Sequence, residues 1–85
     1  MAGQAIICDA EIRKYESMIT RDMEILVHRE AVSRGASSQL ENGVITAAEY
    51  IRQKNEEVRA RLKLEAHRIS LEQALVDYRF ILGTW

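Results

Sequence analysis

The chain has 85 residues, with no proline, four glycines and one cysteine, and its 12 basic and 13 acidic side chains leave a net charge of −1. A single cysteine excludes a disulfide scaffold, and an apolar content of 47% with little net charge excludes a disordered tail. The charge balance also argues against bulk attraction to nucleic acid or anionic lipid. What remains is the composition of long helices in one small unit.

The first predicted element is a long helix over residues 5–42, preceded by a disordered or added start at residues 1–4. Residues 33–38 read Ser-Arg-Gly-Ala-Ser-Ser, a run of poor helix propensity, so a kink or short break is possible there. Apolar runs are far shorter than the ~20 residues of a membrane span, and the start lacks the features of a signal peptide. We therefore expect a soluble chain without direct membrane contact.

A turn follows at residues 43–45. Asn42 and Gly43 tolerate left-handed backbone angles and so can end a helix. Thr46 is followed three residues later by Glu49, the spacing of a capping box, and Ile45 and Tyr50 have the spacing of a hydrophobic staple. These signals predict a second helix over residues 46–82 and a tail at residues 83–85.

Two arms of ~37 residues, each about 55 Å long, around one short turn predict an all-α fold, a long antiparallel helical hairpin of the coiled-coil type. Seven-residue steps on both arms give a predicted seam between the helices. Its layers pair Ile12/Val76, Ile19/Ile69, Leu26/Leu62, Ser33/Asn55 and Leu40/Ala48. The Ser33/Asn55 layer either fixes the register or leaves a water-lined gap.

Further apolar rows lie away from this seam. The second arm carries one on a different face, and the first arm carries a shorter one, and together these rows comprise Leu64, Leu71, Leu75, Tyr78, Leu82, Met18, Ile25 and Val32. Burying one such side chain is worth ~1.5–3 kcal/mol, so exposed rows of this kind mark contact surfaces. We therefore expect the hairpin to self-associate into a helical bundle.

The residues that carry chemistry form no recognisable site. His28 and His67 lie on different arms and read as surface or internally paired histidines, and Cys8 has no histidine at hairpin spacing. We predict no catalytic, cofactor or metal site and no cofactor. Asp22 and Arg29 fall in the seam where apolar residues are expected, which indicates either an imperfect seam or a face turned to water.

Basic residues between Arg52 and Arg68 alternate with glutamates, which is typical of a mixed, solvated helix face rather than of a nucleic-acid site. An enzyme is the remote alternative. The segment 12–34 bears a loose likeness to all-α chorismate mutases through Ile19, Leu26, Arg29 and Arg34. A suitably placed lysine after Arg29 is missing, and two equal arms replace three helices.

Residues 39–51 resemble the tip of the TolC-type outer-membrane efflux proteins, where a helix reaches a glycine, turns to a threonine and re-enters an antiparallel helix. The later pieces of that pattern follow in order as Arg59-Ala60-Arg61-Leu62, Asp77-Tyr78 and Leu82-Gly83. The resemblance implies the last periplasmic hairpin of a trimeric outer-membrane duct, a fragment of a larger protein, working with a periplasmic adaptor and an inner-membrane transporter.

By the same resemblance, the adaptor would contact a tip formed by Asn42, Gly43, Val44 and Thr46. Glu49 would be an acidic residue at the tunnel entrance, although Arg52 stands where the family often has a second acid. The capping box alone also accounts for Thr46 and Glu49. The other non-enzymatic hypothesis is an autonomous coiled-coil module that forms a four-helix bundle.

Overall fold

The computed structural model describes residues 2–83, with side chains described from residue 6 onward. Two helices, α1 (Ala2–Glu41) and α2 (Ala47–Leu82), pack antiparallel in a hairpin of 62 × 16 × 15 Å. No strand occurs within these residues. The predicted fold, an all-α long helical hairpin, is confirmed.

Helix α1 differs from the prediction at two places. It already includes Ala2–Gln4, part of the segment expected to be a disordered or added start, and Met1 lies outside the described residues. It also continues without a break through residues 33–38. Ser33 and Ala36 are each only 3% exposed, so packing on α2 outweighs the weak local propensity of this segment.

The turn closes with paired hydrogen bonds at the end of α1. Gly43 has a φ of 71°, its N–H donates to the carbonyl of Leu40 (3.1 Å), and the N–H of Val44 donates to the carbonyl of Gln39 (2.8 Å). This is a Schellman motif, which satisfies carbonyls that the helix end leaves free. Because its left-handed residue is a glycine, the motif carries no Cβ strain.

Helix α2 is capped at both ends. The Thr46 hydroxyl oxygen accepts a hydrogen bond from the Glu49 N–H (3.1 Å), and Gly83, with a φ of 69°, ends the helix. Only this half of the predicted capping box is seen, because the Glu49 carboxylate turns to the side chains of Arg52 and Gln53 instead.

The face of α2 that packs on α1 is not the predicted one. Leu62, Ile69 and Val76 are 64, 62 and 44% exposed, whereas on α1 Ile12, Ile19 and Leu26 are half-buried. The inward face of α2 is instead formed by buried and half-buried residues that include Glu57, Ala60, Leu64, His67, Leu71, Ala74 and Tyr78. Residues two apart on a helix point about 200° apart, so the predicted seam row faces outward. Of the row predicted to face another helix, Leu64, Leu71 and Tyr78 face α1, whereas Leu75 and Leu82 are exposed.

Candidate functional site

An apolar stripe runs along the outside of α2. We define the outer stripe as Ile51, Val58, Leu62, Ile69, Val76 and Phe80, whose exposed fractions range from 44 to 73%. Steps of seven and four residues at about 100° each place all of them within about 40° of one line. The stripe is about 44 Å long and lies opposite the face that packs on α1. It is a straight row of exposed apolar side chains that does not contact α1.

The exposed apolar residues of α1 are arranged differently. Its large exposed apolar side chains are Ile6, Ile7, Met23, Ile25 and Val27. At about 100° per residue these point in several directions and form no line along the helix. Met18 and Val32, which were predicted to share a row with Ile25, are half-buried. Only α2 therefore presents a continuous apolar line among the side chains described.

Sequence reasoning missed the outer stripe as a unit. Leu62, Ile69 and Val76 were recognised as a seven-residue row but were assigned to the interior, and Ile51, Val58 and Phe80 were not joined to them. The signal was present, because Val58 and Phe80 each lie four residues from a member of that row and so on its face.

A polar cluster occupies the middle of the interface between the helices. The Glu57 carboxylate, on a residue 7% exposed, accepts from Arg61 (3.1 Å) and Lys54 (3.4 Å). The pKa of Glu57 lies below its usual range although burial raises it. The largest cause is the nearby Ser33 hydroxyl, and the charges of Lys54 and Arg61 lower it further. The Ser33 oxygen is near this carboxylate but has no hydrogen-bond partner of good geometry. The predicted Ser33/Asn55 layer is therefore a Ser33/Glu57 layer, with Asn55 exposed.

Two weaker ion pairs cross between the helices beside this cluster. Arg29 lies 3.9 Å from Glu56, and Arg61 lies 3.7 Å from Glu30. An open groove of about 320 Å³ adjoins them, and its lining includes Glu30, Arg34, Tyr50 and Lys54. Acids and bases alternate in this groove and several are already paired with each other. Of the two cations of the chorismate-mutase likeness, Arg34 lies in this open, mixed-charge groove and Arg29 is paired with Glu56.

One polar side-chain pair is buried farther from the turn. His67 Nδ1 contacts a carboxylate oxygen of Asp22, a residue that is 4% exposed, and the Tyr15 ring lies 6.4 Å from the imidazole. Asp22 thus occupies the seam and is satisfied by a histidine of the other helix. His67 is an internally paired histidine, and this pair, like the Ser33/Glu57 layer, departs from the predicted register. His28 is exposed and not part of this pair.

At the tip, Asn42, Gly43, Val44 and Thr46 are all exposed, and Val44 is 68% exposed. Next to them, Arg52 donates two hydrogen bonds to the Glu49 carboxylate, of 2.6 and 3.0 Å. These bonds, with one from Gln53, lower the pKa of Glu49, and Glu49 in turn raises the pKa of Arg52. The carboxylate is therefore ionised but largely neutralised by its own helix, which weakens any field that it presents to a passing cation.

Other chemistry is sparse over the described part of the chain. Residues 2–83 contain no cluster of three or more histidine, cysteine or acidic side chains placed to hold a metal ion. Cys8 is a buried free thiol. Over the same residues, neither helix contains a stretch long and apolar enough to cross a membrane.

Comparison of the chain with protein-family models, curated proteins and solved structures finds no match.

Proposed function

We propose that this chain is a structural hairpin that assembles sideways with another helix through the outer stripe of α2, and that it is not an enzyme. The observation that carries the proposal is the alignment of six exposed apolar side chains along one line of about 44 Å. Scattered surface hydrophobics are ordinary, whereas six that share one helix face at seven- and four-residue spacing favour a helix–helix contact.

The rest of the hairpin supplies a firm base for such a contact. The stripe lies on the face of α2 opposite α1, so a docking helix would not disturb the buried Asp22–His67 pair or the Ser33/Glu57 layer. Caps at Thr46 and Gly83 fix both ends of the helix that bears the stripe. A surface held on a capped helix loses little conformational freedom when it binds.

A fluorescent amphipathic peptide with apolar residues at heptad spacing tests this proposal. We expect its anisotropy to rise with the concentration of the chain, and the rise to vanish for Leu62→Glu, which places a charge in the centre of the stripe. Val27→Glu is the matched control, because Val27 is 65% exposed but lies on α1. Equal binding by both variants, or no binding by the unaltered chain, would contradict docking through the stripe.

A second candidate is the duct hairpin suggested by the TolC resemblance. In it the adaptor docks at the tip, and the outer stripe packs on neighbouring helical hairpins of the duct. What favours it is the exposure of Val44 at the end of the turn, since an isolated apolar side chain there has no structural task. The pairing of Glu49 with Arg52 weighs against an acidic entrance. This candidate also implies a periplasmic location, a trimeric parent protein and an inner-membrane transporter as a partner.

Val44→Asp distinguishes the second candidate from the first. The Val44 side chain is exposed, and only its backbone takes part in the Schellman motif, so helicity should persist. If the tip docks an adaptor hairpin, binding of a purified adaptor of this class should fall at least tenfold. Peptide binding by the outer stripe should be unchanged. Full adaptor binding by Val44→Asp would remove the tip assignment.

A further inference from the structure

We infer that Asn42 is a site of spontaneous covalent modification, in which its side-chain amide becomes an acid through a succinimide ring with Gly43, and that the folded turn controls the rate. Asn42 is exposed at the tip. The nucleophile of this reaction is the backbone nitrogen of the next residue. That residue is a glycine with no atom within 4 Å of the place where a Cβ would stand, so the nitrogen is not shielded by a side chain.

The reaction takes two steps, and water is its only co-reactant. First the Gly43 nitrogen attacks the Cγ carbon of Asn42, a new C–N bond forms, and the side-chain nitrogen leaves as ammonia with the proton from Gly43. Water then opens the ring at either carbonyl carbon, adding hydroxyl to the carbon and hydrogen to the nitrogen. Opening at one carbonyl gives aspartate. Opening at the other gives isoaspartate, in which the main chain runs through the side-chain carbons.

The folded turn holds the nucleophile in an unreactive position. The Gly43 N–H donates to the carbonyl of Leu40 (3.1 Å), and the N–H of Val44 donates to the carbonyl of Gln39 (2.8 Å). Attack requires the Gly43 nitrogen to lose its proton and to rotate out of this hydrogen bond toward the Asn42 side chain. The reaction therefore proceeds from the open turn, and its rate follows the population of that open state.

The product weakens the turn that slowed its formation. Isoaspartate adds one carbon to the main chain before Gly43, which displaces its N–H from the carbonyl of Leu40. Either product also places a carboxylate beside Glu41 at the C-terminal end of α1, where the helix dipole is negative and the last turn has no basic side chain. The modification thus converts a closed turn into a more open and more acidic tip.

Incubation of the whole chain in mildly alkaline buffer, followed by peptide mass spectrometry, measures the conversion of each asparagine. Asn55, the other asparagine of the chain, is the internal control because it is exposed but lies within α2 and precedes Glu56. In guanidinium chloride, where folding has no influence, we expect Asn42 to convert at least tenfold faster than Asn55. Gly43→Ala should remove most of that difference. Equal rates at the two asparagines in the denaturant overturn the assignment of the site.

Control by the turn is tested by the same measurement without denaturant. Conversion of Asn42 should be at least tenfold slower in the folded chain, which corresponds to an opening free energy of about 1.4 kcal/mol. Asp22→Ala, far from the tip, should leave this slow rate unchanged if the turn opens locally. An equal rate with and without denaturant, or acceleration by Asp22→Ala in proportion to its loss of stability, overturns control by the turn.

The modified chain gains a negative charge and is separated from the unmodified one by anion exchange. We expect the isoaspartate form to unfold at a lower temperature than both the unmodified chain and Asn42→Asp, which gains the charge without the extra backbone carbon. If the isoaspartate form unfolds at the same temperature as Asn42→Asp, the weakening of the turn by the longer backbone is wrong.

Discussion

The tip half of the hairpin, residues 29–60, and the open half beyond it are held together by different forces. In the tip half, a Schellman motif, a threonine cap and ion pairs three or four residues apart surround an interface of small and polar residues such as Ser33 and Ala36. In the open half, Leu64 and Ala74 are buried and the polar Asp22–His67 pair crosses the interface. Both halves use contacts between the helices, but only the tip half adds a turn motif and a threonine cap, which act between residues close in sequence.

The contrast between the halves predicts where the molecule tolerates change. Substitutions in the open half remove contacts that nothing nearby replaces, so their effects should be large. Substitutions in the tip half alter one of several local interactions, so their effects should be smaller and follow backbone preference or pH.

The largest effect is expected at Asp22. Asp22→Ala leaves His67 without its partner in a largely buried position, and we expect a loss of about 3 kcal/mol, the low end for breaking a buried pair. Urea denaturation followed by circular dichroism measures the change. Asp9→Ala breaks the exposed pair with Arg13 and should cost less than about 0.5 kcal/mol. If both variants behave alike, the buried pair does not hold the open half together.

The double variant Asp22→Leu/His67→Leu sharpens this test. Replacing both partners by apolar side chains removes the cost of burying polar groups, so stability should return to about that of the unaltered chain. If the double variant is less stable than Asp22→Ala, the Asp22–His67 pair also determines how the two helices pack, beyond supplying each polar side chain with a partner.

Leu64 and Leu62 form a matched pair that tests which row of α2 faces α1. Leu64→Ala should cost about 2–3 kcal/mol, since Leu64 is 3% exposed, and Leu62→Ala should cost less than about 0.5 kcal/mol in a dilute monomer, since Leu62 is 64% exposed. Denaturation at low chain concentration is the measurement. If Leu62→Ala loses more stability than Leu64→Ala, the row of Leu62 faces α1, as the sequence spacing predicted.

Two glycines of the tip half should respond with opposite signs. Gly43→Ala places a Cβ on a residue with φ of 71° and should cost about 1 kcal/mol, although no atom lies within 4 Å of the new carbon. Gly35→Ala lies in a continuous helix with open space around it and should gain about 0.5–1 kcal/mol. Thermal unfolding of both variants checks the pair. A loss at Gly35 would indicate a distorted helix at residues 33–38.

The smallest effect is a dependence of stability on pH. The pKa of Glu57 is lower in the folded chain than its ordinary value of 4.5, so its stabilising contribution is complete above that value and is lost as the pH falls through the lower folded pKa. Between about pH 5 and pH 3, the unaltered chain should therefore lose more stability than Glu57→Gln. Glu11→Gln, at an exposed position, controls for the loss of one charge. Equal slopes for the unaltered chain and Glu57→Gln would contradict the pairing of Glu57.

Much of the fold follows from sequence because its signals are local. The lack of proline, the left-handed glycine at position 43 and the threonine cap at position 46 each act within a few residues, and together they predict two helices joined by one turn. The continuity of residues 33–38 did not follow, because weak propensity there is overcome by the burial of Ser33 and Ala36 against the other helix. Likewise, the carboxylate of Glu49 accepts hydrogen bonds from Arg52 and not from the Thr46 N–H, and the spacing in sequence does not predict which of the two donors it uses.

The sequence by itself determined that this protein is a helical hairpin with more apolar rows than one interface can bury. Only the tertiary structure decided which row of α2 turns inward. The rows at Leu62, Ile69 and Val76 and at Leu64, Leu71 and Tyr78 have the same seven-residue spacing, so periodicity fits both equally. Burying either row exposes the other, so apolar burial is similar in both arrangements, and the face with the second row also carries His67, which satisfies the buried Asp22.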